Sequence, residues 1–564
     1  MANQAPTVLI LGAGINGAAL ARELLLSGVG VCLVDTADIA SGATAYSSRL
    51  IHGGLRYLEY AEFSLVRESL AERERLLRLA PQYVRPLQLA IPIRRRTGGL
   101  YSGLKKFVGL PAAAAARGLW VVRAGLTLYD LLARDPQLPR HGVQAIGQAT
   151  RPAVDVADYR WLCTYWDAQI AYPERFVLAL LEDARRLAAE SGVAFQVLPY
   201  HRAKLKGTTA VIHYVDHDNE PVQRFSPAAI VNATGAWVDA TLSQLDVPAK
   251  KLMGGTKGSH FVTFNETLAR ALDGRGVYAE AADGRPVFLL PWGPGGDRGQ
   301  PPPATLVGTT DEPYAGDPAD AVATPAELQY LLDTANEVIP DACLTGEDID
   351  MHYSGVRPLP ATDASTPAAI TRRHMLVEHP QCALPLISIV GGKLTTCRSL
   401  AEEAAAKILA RLNMPVVGNS RGRIVPGGEA YPASAADVSA EWDRMAVKSS
   451  LSRAQIATLW PLLGTRTGAV LDESGATSAA NLPDTDIPRA VVRWMIQNEW
   501  VTSLNDLVER RLMLLYNPRL SMECLRDAAE LLVDFGRVSS SEANEMVQGT
   551  IERLQVHFGK QLRG

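Results

Sequence analysis

Cysteine is scarce and scattered. The 564 residues hold six (Cys32, Cys163, Cys343, Cys382, Cys397 and Cys524), and no two form a CxxC pair. This excludes a disulfide scaffold or a zinc ribbon, suits reduced thiols in a cytoplasmic setting and leaves no metal site to expect. Neither sign of charge is in large excess: 56 basic residues face 60 acidic ones, for a net charge of −4, so a nucleic-acid binder is disfavoured as the global reading. Long uncharged apolar runs are also missing. The nearest candidate, Leu119 to Leu132, is cut by Arg123 and Asp130, so no membrane span is expected. The N-terminus has no charged region ahead of its apolar residues and runs straight into a glycine-patterned turn; it reads as fold, not as a signal peptide. There is no internal repeat. With 47% apolar and 21% charged residues, disorder and fibrous repeats are excluded too. At roughly 150 residues per domain, the length gives a prior of three to four domains.

What is present begins at the N-terminus. Thr7–Leu11 is a short apolar run, followed by Gly12-Ala-Gly14-Ile-Asn-Gly17, a helical pattern through Leu26, and a second apolar run, Val29–Val34, that ends at Asp35. Strand, turn, helix and strand within about 30 residues make a βαβ unit. Gly12 permits the tight turn, Gly14 lets a pyrophosphate reach the backbone, and Gly17 lets helix and strand pack closely. The helix N-terminus, with Asn16 in its first turn, faces the phosphates, and Asp35 accepts from a ribose hydroxyl. An acid there selects a free ribose, hence FAD or NAD. Two distant segments favour FAD. Ile230–Gly235 is a strand ending in the small-residue turn Ala233-Thr234-Gly235. Ser388–Thr396 joins a strand, Gly391-Gly392, Lys393-Leu394-Thr395 and a new helix. A positive helix end beside a cation suits the pyrimidine oxygens of a flavin that gains negative charge.

Further along, Glu62–Leu79, Arg175–Ala189 and 394–412 read as helices. Ala194–Leu198, Val211–Tyr214, Ala228–Thr234 and Leu386–Val390 read as strands. Between Lys251 and His352, short strands (His260–Phe264, Val287–Leu290, Thr305–Gly308) punctuated by Pro and Gly suggest an antiparallel sheet. Beyond Pro426 the texture turns helical, with Pro488–Trp500, Ser503–Met513, Ser521–Phe535 and Ser541–Phe558 amphipathic.

Three segments together carry a family resemblance: Ser47-Ser48-Arg-Leu-Ile-His52-Gly-Gly-Leu-Arg56-Tyr57, Tyr353-Ser-Gly-Val-Arg357-Pro, and Gly391-Gly392-Lys393-Leu394-Thr395-Thr396. They resemble the FAD-dependent glycerol-3-phosphate dehydrogenases, the aerobic respiratory enzymes of the D-amino-acid-oxidase-like flavoproteins. The resemblance runs from about residue 5 to 415 and continues more weakly into the helical C-terminus. It departs at Ala13, where the family has a third glycine, and at Cys397, where the family usually has Tyr. The loops at Ala112–Ala116 and Gly293–Pro303 have no counterpart.

The resemblance implies an α/β FAD-binding Rossmann-like domain, an α+β antiparallel-sheet substrate domain and an all-α C-terminal domain. The boundaries expected are 1–80, 150–250 and 345–415 for the FAD-binding part, 81–149 and 251–344 for the substrate part, and 425–564 for the helical cap. It implies oxidation of sn-glycerol 3-phosphate to dihydroxyacetone phosphate, with electrons passed to a membrane quinone. Arg56, Arg357, Arg372 and Lys393 are the cations matching the substrate pocket, and Tyr57 and Thr395 the hydroxyls. His52 is a candidate base and Arg357 an alternative that would stabilise the alkoxide; sequence alone leaves the two open. The cofactor set is Gly12, Gly14, Asn16, Gly17, Asp35, Ser47, Ser48, Ala233, Thr234, Gly235 and Gly391 to Thr395. The competing readings are an oxygen-using oxidase, a flavin sensor without turnover and an amine oxidase. The last is disfavoured because one carboxylate does not need three clustered cations.

Charge is also distributed unevenly. Between Arg75 and Tyr129 lie ten basic residues and no acidic one: Arg75, Arg78, Arg85, Arg94, Arg95, Arg96, Lys105, Lys106, Arg117 and Arg123. The rest of the chain sums to −14. Interleaved with them are Leu100, Tyr101, Leu104, Phe107, Val108, Leu110, Leu119 and Trp120, a pattern expected of an interfacial anchor on anionic lipid at the cytoplasmic face of the inner membrane. A solvated charge run lining the phosphate entry is the alternative. The helical C-terminus is open to three roles: homodimerisation, docking or capping.

Overall fold

The computed structural model describes residues 5–97, 118–133, 135, 138–215, 217–293, 303–361, 372–476 and 480–563, with only the backbone at 217–219. The first β-strand, β1 (Thr7–Leu11), helix α1 (Ile15–Leu25) and strand β2 (Gly30–Val34) form the expected unit. Both strands are buried on both faces, which explains their unbroken apolar runs. They sit inside a six-stranded sheet in the order Met375–Glu378, Leu386–Val390, Ala229–Asn232, β1, β2, Phe195–Leu198. All its pairs are parallel except the first, an edge hairpin. Helix α1 packs against the helices Pro173–Ser191 and Cys397–Arg411, which close one face of the sheet.

The second sheet is larger, and it corrects the expected boundaries. Strand Trp161–Ile170 pairs along its whole length with Val84–Ile93, so it belongs here and not with the FAD-binding region 150–250. Strand Met351–Arg357 likewise pairs with Thr256–Thr263 and so lies outside the region 345–415 assigned to FAD binding. The sheet is also mixed rather than purely antiparallel: Gly276 and Val277 run parallel to Leu89 and Ala90. A strand pairing with a distant segment leaves no local signal, which is why these positions were misassigned.

The C-terminus is helical, with more helices than expected. Ala435–Ser449, Arg453–Leu463 and Thr467–Ser474 are helices in addition to the four anticipated. The first carries no fully buried residue, although Val438, Trp442 and Met445 recur at helical spacing, and the second contains Pro461, a helix breaker when read from sequence. Their N-termini did carry a signal in the capping boxes Ser434/Asp437 and Ser452/Gln455. The helix expected at Ser503–Met513 is a short α-turn, Leu504–Asp506, that widens into a π-turn, Leu507–Arg511. The one expected from Leu394 begins at Cys397. The C-terminal helices have no separate core: their apolar residues form one continuous cluster with Leu50, Leu89, Tyr165 and Tyr353 of the large sheet.

Among the described residues, no helix is long and apolar enough to cross a membrane, and no cluster of His, Cys, Asp or Glu could hold a metal.

Candidate active site

A cavity of about 500 Å³ lies between the two sheets. Its dinucleotide end is the turn after β1. Gly12 has φ +104°, and a Cβ there would lie 2.6 Å from the Ala233 carbonyl oxygen. At Gly17 a Cβ would come within 1.9 Å of the Gly12 oxygen, so Gly17 is a packing position behind the cavity and the one expected cofactor residue that does not line it. Gly14 begins α1 and faces the cavity. Asp35 holds the turn from the end of β2, accepting from the N–H groups of Ala13 (2.6 Å) and Ala37 (2.9 Å). Burial pushes its carboxyl up to about 6, against those two bonds.

The second turn is fixed by Asn232, whose Oδ1 accepts from the Thr234 hydroxyl (2.7 Å) and whose Nδ2 donates to the Val238 oxygen (3.0 Å). Ala233, Thr234 and Gly235 all line the cavity. Asn16 links the first turn to the third, with its Nδ2 3.4 Å from the Gly391 oxygen. Gly391 and Gly392 have φ +83° and +106°, which carries the chain sharply from strand into turn. Lys393, Leu394 and Thr395 follow along the cavity wall.

At the other end the structure brings His52, Arg56, Tyr57, Arg357, Arg372 and Lys393 to the same cavity. Burial pushes the Tyr57 phenol up, while the Arg372, Arg357 and Arg56 guanidiniums act the other way, so these groups share one electrostatic neighbourhood. The Lys393 ammonium lies 3.9 Å from the centre of the Tyr57 ring, a cation–π contact. Burial pushes it down to about 7, opposed by Glu62. His52 is pushed down to about 4 by burial; Asp167 opposes this, and the Lys393 and Arg73 cations add to it. The turn that carries His52 is tied down from behind: Gly53 N–H donates to the Tyr129 hydroxyl (2.9 Å), which donates to Asp167 (2.6 Å), which also accepts from Arg73 (2.9 Å).

Thr395, expected to bond the substrate oxygens, lines the cavity and also has a partner within the protein. It is buried, and its Oγ1 accepts the His52 backbone N–H at 3.1 Å. Cys397, at the family's Tyr position, is a buried thiol pushed up to about 12 by burial.

Several residues were not anticipated. Asp311 accepts from Arg357 Nη1 (2.8 Å), and Thr309 Oγ1 from its Nη2 (2.9 Å), so the guanidinium is aimed from behind. His260, only 2% exposed, lines the cavity, stacks on Tyr353 with ring centres 4.9 Å apart, and bonds Ser48 Oγ through Nε2 at 2.9 Å. Its strand, Thr256–Thr263, is buried at every position and its sequence does not alternate, so no local pattern says which cavity the ring faces.

The cradle fits a flavin dinucleotide. Three glycine turns meet at one cavity, and among the buried polar atoms of the residues lining it Asn16 Oδ1 and Lys393 Nζ have no hydrogen-bond partner among the described residues. Together with Asp35 they form a donor and acceptor set for an anionic dinucleotide bearing a polar ring.

The fold and the cradle define a dinucleotide-binding flavoprotein oxidoreductase. The family model for FAD dependent oxidoreductase matches residues 7–398. The glycerol-3-phosphate dehydrogenase of Synechocystis sp. is 36% identical over 532 residues, covering 90% of this chain and 89% of that protein. The aerobic glycerol-3-phosphate dehydrogenase of Escherichia coli is 30% identical over 515 residues, covering 89% and 93%. The structure of the glycerol-3-phosphate dehydrogenase from Bacillus halodurans, complexed with FAD, superposes with a TM-score of 0.69 at 20% identity, covering 99% of this chain and 96% of that one. The chain belongs to the FAD-dependent oxidoreductases, within the glycerol-3-phosphate dehydrogenase family, and its cofactor is FAD.

Part of the basic segment can also be placed. Arg95, Arg96 and Arg123 are exposed, and Trp120 and Leu131 on the helix Leu119–Ala133 are 51% and 67% exposed. Leu119, expected on the surface, is buried, and Arg94 is engaged by Asp158 (3.2 Å) and Glu337. Leu100 to Leu110, Lys105, Lys106 and the loop Ala112–Ala116 lie outside the described residues, as do Arg117 and 294–302 of the Gly293–Pro303 loop.

Proposed function

We propose that the protein oxidises sn-glycerol 3-phosphate to dihydroxyacetone phosphate and passes the electrons to a membrane quinone, as a peripheral protein on the cytoplasmic face of the inner membrane. The observation that carries this reading is the convergence of Arg56, Arg357, Arg372 and Lys393 on a cavity that also holds His52 and the dinucleotide cradle. Four cations exceed what one carboxylate needs and suit a dianionic phosphate, whose oxygens the planar guanidinium fork binds in pairs. The names of the Synechocystis and Escherichia coli relatives agree with the substrate of this reading.

FAD, when bound, supplies the acceptor for the hydride that leaves C2. The protein's residues do the rest. Arg56, Arg372 and Lys393 hold the phosphate. A guanidinium does not deprotonate in a protein, so Arg357 is not the base; aimed by Asp311 and Thr309, it stabilises negative charge as it develops on the C2 oxygen. His52, held neutral by burial, keeps a ring lone pair and takes the hydroxyl proton, and Asp167 behind it favours the charged ring that results.

The membrane part of the proposal rests on exposed Trp120, Arg123 and Leu131 on one helix, whose first N–H groups, of Leu119 and Trp120, donate to the backbone oxygens of the exposed Arg95 and Arg96. Basic heads among apolar side chains suit an anionic bilayer, with each Lys or Arg contributing about 1 kcal/mol. The test is turnover with quinone in anionic liposomes, followed together with oxygen uptake and peroxide. Salt-sensitive liposome binding with quinone reduction is expected. A protein that ignores the liposomes and makes one peroxide per substrate is instead the oxidase.

A further inference from the structure

The loop 36–49 runs along the dinucleotide end of the cavity, which Ala37, Thr44, Ser47 and Ser48 line. It is joined to the phosphate-facing turn at two points. Ala40 N–H donates to the Ala13 oxygen (3.1 Å), and Thr44 Oγ1 accepts the Ile15 N–H (3.1 Å), an amide in the first turn of α1. Ala40 and Arg49 have φ +61° and +56°, a region unfavourable for residues bearing a Cβ, so the loop needs outside support to keep this shape.

That support comes from the C-terminal helices. Asp38, 1% exposed, accepts from Arg510 Nε and Arg511 Nη1, and from Arg511 Nη2 at 2.9 Å. Both arginines sit on the π-turn Leu507–Arg511, a widening of the helix that is common where side chains have a specific task. In the middle of the loop, Tyr46 Oη accepts from Arg553 (3.3 Å). At its far end, Arg49 donates to Tyr516 Oη (2.5 Å). Beginning, middle and end of the loop are thus each held by a residue beyond 500.

We infer that the C-terminal helical module is a positioning element of the FAD site, in which Arg510 and Arg511 fix the loop 36–49 through Asp38 and so set the affinity for FAD. The module acts on a cofactor it does not line: among the described residues, none beyond 395 lines the cavity. This inference depends on the FAD site alone and stands or falls independently of the substrate and the electron acceptor.

The test compares full-length variants by the FAD dissociation constant on reconstitution of the deflavinated protein, read by flavin fluorescence, alongside melting temperature. Asp38→Asn should weaken FAD about tenfold or more, and Arg511→Lys, which keeps the charge but loses the fork, should fall between it and the parent. Asp183→Asn provides the comparison. It breaks an equally buried pair, in which Asp183 accepts from Arg22 (2.5 Å) and Arg423 (2.7 Å), away from the loop. It should lower the melting temperature and leave the FAD constant unchanged. Parent-like FAD affinity in Asp38→Asn, or equal loss in Asp183→Asn, overturns the inference. Hydrogen exchange on the parent tests it without any variant. Because coupling is reciprocal, FAD should slow exchange at 507–511 as well as at 36–49. Slowing at 36–49 alone overturns it.

Discussion

Thr395 Oγ1 accepts the backbone N–H of His52 at 3.1 Å, joining the turn after the last strand of the FAD-binding sheet to the turn that carries the candidate base. The bond ties together two turns of the cavity wall. A displacement of either turn is therefore transmitted to the other.

Replacing Thr395 by Val removes that acceptor and leaves a buried N–H unsatisfied, a loss of about 1–3 kcal/mol. Thr395→Val should melt lower and turn over about tenfold more slowly with a soluble dye acceptor, while Thr395→Ser keeps most of both. Steady-state rates and melting curves of the pair check this, and a fully active Val variant would detach Thr395 from the positioning of His52.

Arg357 faces the cavity and is held from behind by Asp311 and Thr309. Arg357→Ala should purify yellow, with FAD bound, and lose about a thousandfold in kcat/KM. Near-normal turnover would remove Arg357 from the reaction.

The Asp35 carboxyl is raised to about 6 by burial, so if it accepts from the ribose, FAD binding should depend on pH. A ribose hydroxyl donates best to the ionised form, so binding favours loss of the proton. FAD affinity should therefore tighten as pH rises through about 6 and level off above it. Titrations of the deflavinated protein between acid and neutral pH check the slope, and Asp35→Asn should flatten it while weakening affinity by about 1–3 kcal/mol.

His52 gives a second pH signature. Its folded value of about 4 lies below the ordinary 6.5, so the neutral, proton-accepting ring persists well into acid. The acid limb of kcat/KM attributable to His52 should lie near 4, and His52→Gln should remove it. Stability follows the same sign. Between 6.5 and about 4 the unfolded chain binds a proton that the folded ring refuses, so the contribution is full above 6.5 and is lost as pH falls through that window. An acid limb near 6.5 would mean an exposed His52.

Much of this site was legible in the chain, because local geometry demanded particular residues. The glycine turn at 12–17 and the acid at 35 sit where strand, turn and helix require them, and strand Leu386–Val390 has the limits its apolar run suggests. What escaped reading were partners set by tertiary packing. Ser48 and His260 lie 212 positions apart, and Asp311 reaches Arg357 across 46. Trp161–Ile170 reads equally well as a strand of either sheet until Val84–Ile93 is seen beside it. The anchoring of the loop 36–49 by Arg510 and Arg511 spans almost the whole chain, and no periodicity encodes it.

The most direct test of the account is the absorption spectrum of the purified protein without oxygen. It should show oxidised flavin that bleaches on addition of sn-glycerol 3-phosphate and stays unchanged with glycerol or an amino acid. A yellow protein that glycerol 3-phosphate fails to bleach would contradict the assignment of Arg56, Arg357, Arg372 and Lys393 as the phosphate and alkoxide pocket.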